Sequence, residues 1–198
     1  MNEQVSFRKS GIVGTVLILL VLALVAGSLP VENLTLLIIN LSLLVCITIA
    51  LFIVWIKYRT DKKRHLMIHG YFFVKGFALF TCIPFLRIIY GHYFFWIAIL
   101  LVLTVIVLSY IFVEKIIFSI RNPHKSLFGK IFITLMVLVM IFGNNLYERT
   151  LRPSLVEQYD SPISILFFVV SIFFFILNPG LLLEPSRIER IVKKGKSA

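Results

Sequence analysis

Acidic residues are scarce in this sequence: 198 residues carry nine Asp and Glu against twenty Lys and Arg, a formal net charge of +11. Cysteine is scarcer still. The two present, Cys46 and Cys82, fall inside apolar stretches without the C-x-x-C spacing of a zinc or dithiol site, so a disulfide scaffold is excluded and neither metal nor cofactor is expected. The chain also lacks the glycine-rich phosphate loops, the H-E-x-x-H pair and the G-x-S-x-G elbow that announce nucleotide, zinc-hydrolase or serine-hydrolase chemistry. Charged residues of all kinds make up 15% and apolar ones 60%, well above the ~45–50% of a soluble domain. A mean hydropathy of +1.00 agrees with an integral membrane protein.

The excess of positive charge does not point to nucleic acid. The basic residues sit in short clusters between apolar runs and leave no basic domain outside them, so a lipid bilayer with anionic headgroups is the expected partner. At ~1.5 Å per residue, a ~30 Å hydrocarbon core takes ~20 apolar residues to cross. The runs predict an all-α polytopic protein of six transmembrane helices, about 11–29, 34–56, 66–86, 94–113, 131–147 and 162–183, in a single membrane domain over 1–198. A basic amphipathic tail over 184–198 follows. The first run has the plan of a signal peptide, but it exceeds the ~7–15 apolar residues usual there and is read as a retained helix.

Several boundaries carry local signals. Pro30 to Asn33 makes a tight turn, and Asp160 or Ser161 can cap a helix whose first residue is Pro162. Asn178-Pro179-Gly180 interrupts the last run, and Ser186 to Glu189 fits a capping box opening the tail helix. Gly11, Gly14, Ser42, Gly76 and Ser109 are the small residues expected where helices approach closely.

Orientation follows from the same six runs. Sixteen of the twenty Lys and Arg fall on one side, only Arg87, Arg149 and Arg152 on the other, and Lys75 lies within a run. The positive-inside rule then puts both termini in the cytoplasm and the protein in the plasma membrane. Lys57, Arg59, Lys62, Lys63 and Arg64, together with Arg187, Arg190, Lys193 and Lys194, are expected to contact lipid headgroups or a partner.

Lys75 is the most informative position. With the third helix over 66–86 it sits near the bilayer centre, where ionisable groups are costly and mark function. With the helix over 71–90 it sits one turn inside the cytoplasmic end and snorkels. No acidic residue lies in the apolar interior of any run, so His69, Asn40, Asn144 and Asn145 are the polar candidates to share a ligand site with it. His65 and His69, four apart, share a helix face but lack a third ligand for zinc.

These features imply a non-enzymatic accessory or scaffold subunit of a larger membrane assembly, with a membrane protein partner or a homo-oligomer. The alternative is a small transporter, substrate-binding subunit or channel with an anion-accepting cavity around Lys75. Clustered acid–base groups of an enzyme are missing, so no catalytic residues are assigned.

Overall fold

A computed structural model describes residues 5–28, 33–121, 126, 129–130, 133–134, 137 and 156–196. Every regular element among them is helical: α1 (Ile12–Ser28), α2 (Leu34–Tyr58), α3 (Lys62–Ile88), α4 (Tyr93–Ile111), α5 (Val113–Arg121), α6 (Val156–Leu177) and α7 (Pro185–Lys196). Short 3-10 segments cover Phe7–Lys9 and Asn178–Leu182. Among the described residues four stretches are long and apolar enough to cross a membrane: α2, α3, α4 and Ser164–Leu182. At 17 residues, or ~26 Å, α1 is apolar but shorter. The run expected over 131–147 lies largely outside the described residues, as do Asn144 and Asn145 and the side chains of Lys193 and Lys194.

Helix boundaries follow caps more closely than hydropathy. Asn33 opens α2 by accepting a hydrogen bond from the Leu36 amide at 3.0 Å. Asp61 does the same for the Arg64 amide, so α3 starts at Lys62 rather than 66, and the basic cluster from Lys62 to His65 is its first turn. The run expected over 94–113 breaks at Phe112. Beyond it α5 buries Ile116, Ile117 and Ser119 and exposes Glu114 and Lys115, so the start of the expected loop is an amphipathic helix.

The last two helices also depart from expectation. α6 begins at Val156, and Pro162 is an interior residue instead of the first, where it removes a single backbone hydrogen bond. The helix gives way to the 3-10 segment at Asn178, where Pro179 cannot continue it. α7 starts at Pro185, and the amides of Arg187 and Ile188 donate to the Glu184 carbonyl at 3.0 and 3.1 Å. Ser186 is therefore inside the helix and is not its cap: proline at the first position suits a turn that has no acceptor for its N–H.

α3 is the central helix, although it is the least apolar of the four long ones and the most buried. One side meets α1 and α2, where Leu19, Ala23, Leu51 and Phe80 are fully enclosed. The other meets α6 through the ring pairs Phe77–Phe174 and Phe85–Phe168. Gly76 lies where three helices touch: a Cβ there would come within 3.0 Å of Leu19 and 3.1 Å of Ile47. Gly27 plays the same part between α1 and α2, where a Cβ would stand 3.3 Å from the Leu37 Cα, though its spacing does not mark it. Ser109 is buried as expected, whereas Gly14 faces open space and Ser42 is exposed, so these two are not at helix contacts.

Candidate functional site

Lys75 stands midway along α3, thirteen residues from either end. Its Nζ donates to the Tyr71 hydroxyl at 3.2 Å and lies 5.4 Å from the centre of that ring. The Tyr71 and Tyr110 hydroxyls are 2.7 Å apart, which extends the chain to α4. Helical side chains lean toward the N-terminus, and Tyr71 is one turn N-terminal, so the lysine points back toward the start of α3.

The neighbours fix what that direction means. α1 runs parallel to α3, with Thr15 at His69, Leu19 at Gly76 and Gly27 near Arg87. α4 runs antiparallel and ends at Ile111, one residue past Tyr110. The start of α1 and the end of α4 thus meet α3 between His69 and Tyr71, only about one turn from Lys75. The first two turns of α3 project beyond them and meet the Asn178–Leu182 segment through Arg64, while Gly70, at their level, rests against Leu181.

The other expected site residues are engaged elsewhere. His69, on the α1-facing side of α3, has Nε2 2.9 Å from the Thr15 hydroxyl, and its ring centre is 5.7 Å from that of His65. His65 is buried, and its Nε2 has no hydrogen-bond partner among the described residues. Asn40 is fully buried in α2 and donates its amide to the Ala23 carbonyl at 3.3 Å, a contact that ties α2 to α1. Lys75, His69 and Asn40 therefore occupy three separate polar contacts. Among the described residues no group of three or more His, Cys, Asp or Glu side chains could hold a metal ion.

Arginines organise both ends of α3. Arg64 donates from Nη1 to the Leu182 and Leu183 carbonyls at 3.0 and 3.1 Å. Arg87 donates from Nη1 to the Ala26 and Gly27 carbonyls at 3.2 and 3.1 Å, capping the last turn of α1. Near Arg64, Arg187 of α7 grips Glu114 Oε1 of α5 through Nε and Nη2 at 3.0 and 2.6 Å. At the same end the N-terminal stretch is pinned by the Val5 amide on the Arg59 carbonyl and by Trp55 Nε1 on the Val5 carbonyl. Lys57, Arg59, Lys62, Lys63 and Arg190 are exposed there. The basic clusters separated in sequence are thus gathered at one end of the bundle.

Sequence reading missed Thr15, Tyr71, Tyr110 and Glu114. Tyr71 was within reach, because a residue four before a lysine shares its helix face. The other three meet their partners across helices, and no local pattern marks them.

Among the described residues the fold is an all-helical bundle with four stretches long and apolar enough to cross a membrane, packed on an apolar core and joined by interhelical polar contacts. Compared with known proteins, the chain matches no protein-family model, no curated protein and no solved structure.

Proposed function

We propose that this chain is a non-enzymatic accessory or scaffold subunit of a larger assembly in the plasma membrane. In this reading it crosses the bilayer six times, with both termini and the basic end of the bundle in the cytoplasm. The gathering of the basic clusters with the N-terminal stretch supports that orientation. The burial of Leu19 and Ala23 supports a first helix that is kept as part of the bundle.

The observation that carries the reading is α4. Only Ala98 and Ser109 of its nineteen residues are buried. Twelve of the nineteen are exposed, around most of the helix, and among them Trp96, Leu100, Leu103 and Val107 recur at spacings of four, three and four, which suits a second helix packed at a shallow angle. Its partner is a transmembrane helix of another protein or of a second copy.

Excision of the tagged protein from its own membranes in polymer-bounded particles, followed by native mass measurement, tests this. A defined stoichiometric complex, lost in the Trp96→Ala/Leu103→Ala variant, is expected. A monomer in every preparation contradicts it.

Transport remains the second reading, favoured by the Lys75–Tyr71–Tyr110 chain. Snorkelling accounts for the same chain more simply. The lysine is about one turn from the level where α1 begins and α4 ends, and it points along α3 toward that level.

A further inference from the structure

At the basic end, α5, the Asn178–Leu182 segment and α7, together with residues of α3 and α6, line two neighbouring open grooves of opposite chemistry. One, about 690 Å³, is a charged cleft lined by Arg64, Arg187, Arg190, Glu114 and Glu184. The other, about 400 Å³, is an apolar slot lined by Val74, Ile117, Phe174, Leu181 and Ile188 among others. They are formed by consecutive residues of the same elements: Leu182 lines the cleft and Leu181 the slot, Arg187 the cleft and Ile188 the slot. On α5, Glu114 and Ile117 divide the two in the same way, one turn apart.

The cleft has donors left over. Arg187 uses Nε and Nη2 on Glu114, and Arg64 uses Nη1 on the Leu182 and Leu183 carbonyls. Arg190 is exposed and has no partner among the described residues. Three guanidinium groups face two carboxylates, which leaves one positive charge to match a singly charged phosphodiester. Guanidinium forks bind phosphate oxygens in paired geometry. A free phosphate would use only the cleft, whereas a phospholipid would also fill the slot.

We propose that the cleft and slot together bind one anionic phospholipid, its phosphodiester on Arg64, Arg187 and Arg190 and an acyl chain between Ile117, Phe174 and Ile188. The proposal rests on the membrane reading above, with the basic end at headgroup level, but not on which compartment that end faces. The bound lipid would join α5 and α7 to α3 from beneath, stiffening the plate that Arg64 and the Arg187–Glu114 pair already hold.

Thermal unfolding of the full-length protein in a non-ionic detergent tests it, with dioleoylphosphatidylglycerol, dioleoylphosphatidylcholine or glycerol phosphate titrated in. The glycerol lipid should raise the melting temperature while the choline lipid and glycerol phosphate leave it unchanged. Arg190→Gln should weaken the response about tenfold, the loss expected for one charge-assisted contact. Ile188→Trp, which fills the slot, should weaken it as well while the lipid-free melting temperature stays close to that of the unaltered protein. Equal stabilisation by both lipids, an unchanged response in Arg190→Gln, or stabilisation by glycerol phosphate alone overturns the proposal. Sidedness is read separately by labelling, so an inverted orientation leaves this outcome intact.

Discussion

Arg64 and Arg87 stand twenty-three residues apart on α3 and make the same contact at its two ends. Each lays one guanidinium nitrogen across two consecutive backbone carbonyls where another segment terminates: Leu182 and Leu183 for Arg64, Ala26 and Gly27 for Arg87. Carbonyls at a helix end lack intrahelical donors, and a cation there also meets the negative end of the helix dipole. Both arginines are half-buried, so the central helix itself supplies donors to carbonyls that the neighbouring helices partly screen from water.

Replacing Arg87 by Gln should therefore destabilise the α1–α3 contact by about 1.5–3 kcal/mol, the range for hydrogen bonds to charged groups. Arg87→Lys should recover part of the loss, because it keeps a charged donor but sets it on a different stem from the Nη1 that reaches both carbonyls. Thermal unfolding in detergent, with proteolysis near Gly27 as a local readout, checks both.

The lysine–tyrosine pair predicts a coupled effect. Tyr71→Phe removes the acceptor of Lys75 and one half of the Tyr71–Tyr110 bond, and should cost about 1–3 kcal/mol. In a Lys75→Met background the same substitution should cost less, since the charge that needed the hydroxyl is gone. A double-mutant cycle on unfolding midpoints measures the difference. Equal costs in the two backgrounds would falsify the coupling.

Two glycines should differ in tolerance. A Cβ on Gly27 meets the backbone Cα of Leu37 at 3.3 Å, which cannot yield without moving α2. A Cβ on Gly76 meets only the methyl ends of Leu19 and Ile47, which can rotate. Gly27→Ala should then lose about 1–3 kcal/mol, as overpacked cores do, and Gly76→Ala distinctly less. Ranking the two variants by melting temperature tests the order.

The Arg187–Glu114 ion pair has both side chains about half exposed. Glu114→Gln should change stability by no more than about 1 kcal/mol, and any effect should fade as salt is raised. A loss of several kcal/mol would mean that the pair is shielded from solvent by something bound over it.

Much of this architecture was legible in the sequence because apolar runs of membrane length leave few alternatives. The all-helical class follows from those runs, and α2 starts where Leu34 was expected to start it. What escaped is what hydropathy does not encode. The charged first turn of α3 reads as a loop until Asp61 is seen to cap it. Its low apolarity reads as weakness, yet polar residues are tolerated at the centre of a bundle where Thr15, Tyr110 and helix carbonyls provide partners. Lys75, His69 and Asn40 stood out singly as rare polar residues among apolar ones. Their division into three separate contacts depends on which face of which helix each occupies, and that is decided by packing.

In the proposed orientation Lys75, though midway along α3, extends its ammonium toward the basic, cytoplasmic side and borders no hydrated cavity. Thiol labelling in intact cells and inverted vesicles tests it directly, in a Cys46→Ala/Cys82→Ala background with Lys75→Cys, Leu79→Cys and Ile83→Cys introduced one at a time. A membrane-impermeant reagent is expected to reach position 75 from the cytoplasmic face alone, with positions 79 and 83 protected from both faces. Labelling of position 75 from outside, or of 79 and 83 along with it, would contradict the account and put a water-filled path through the centre of α3.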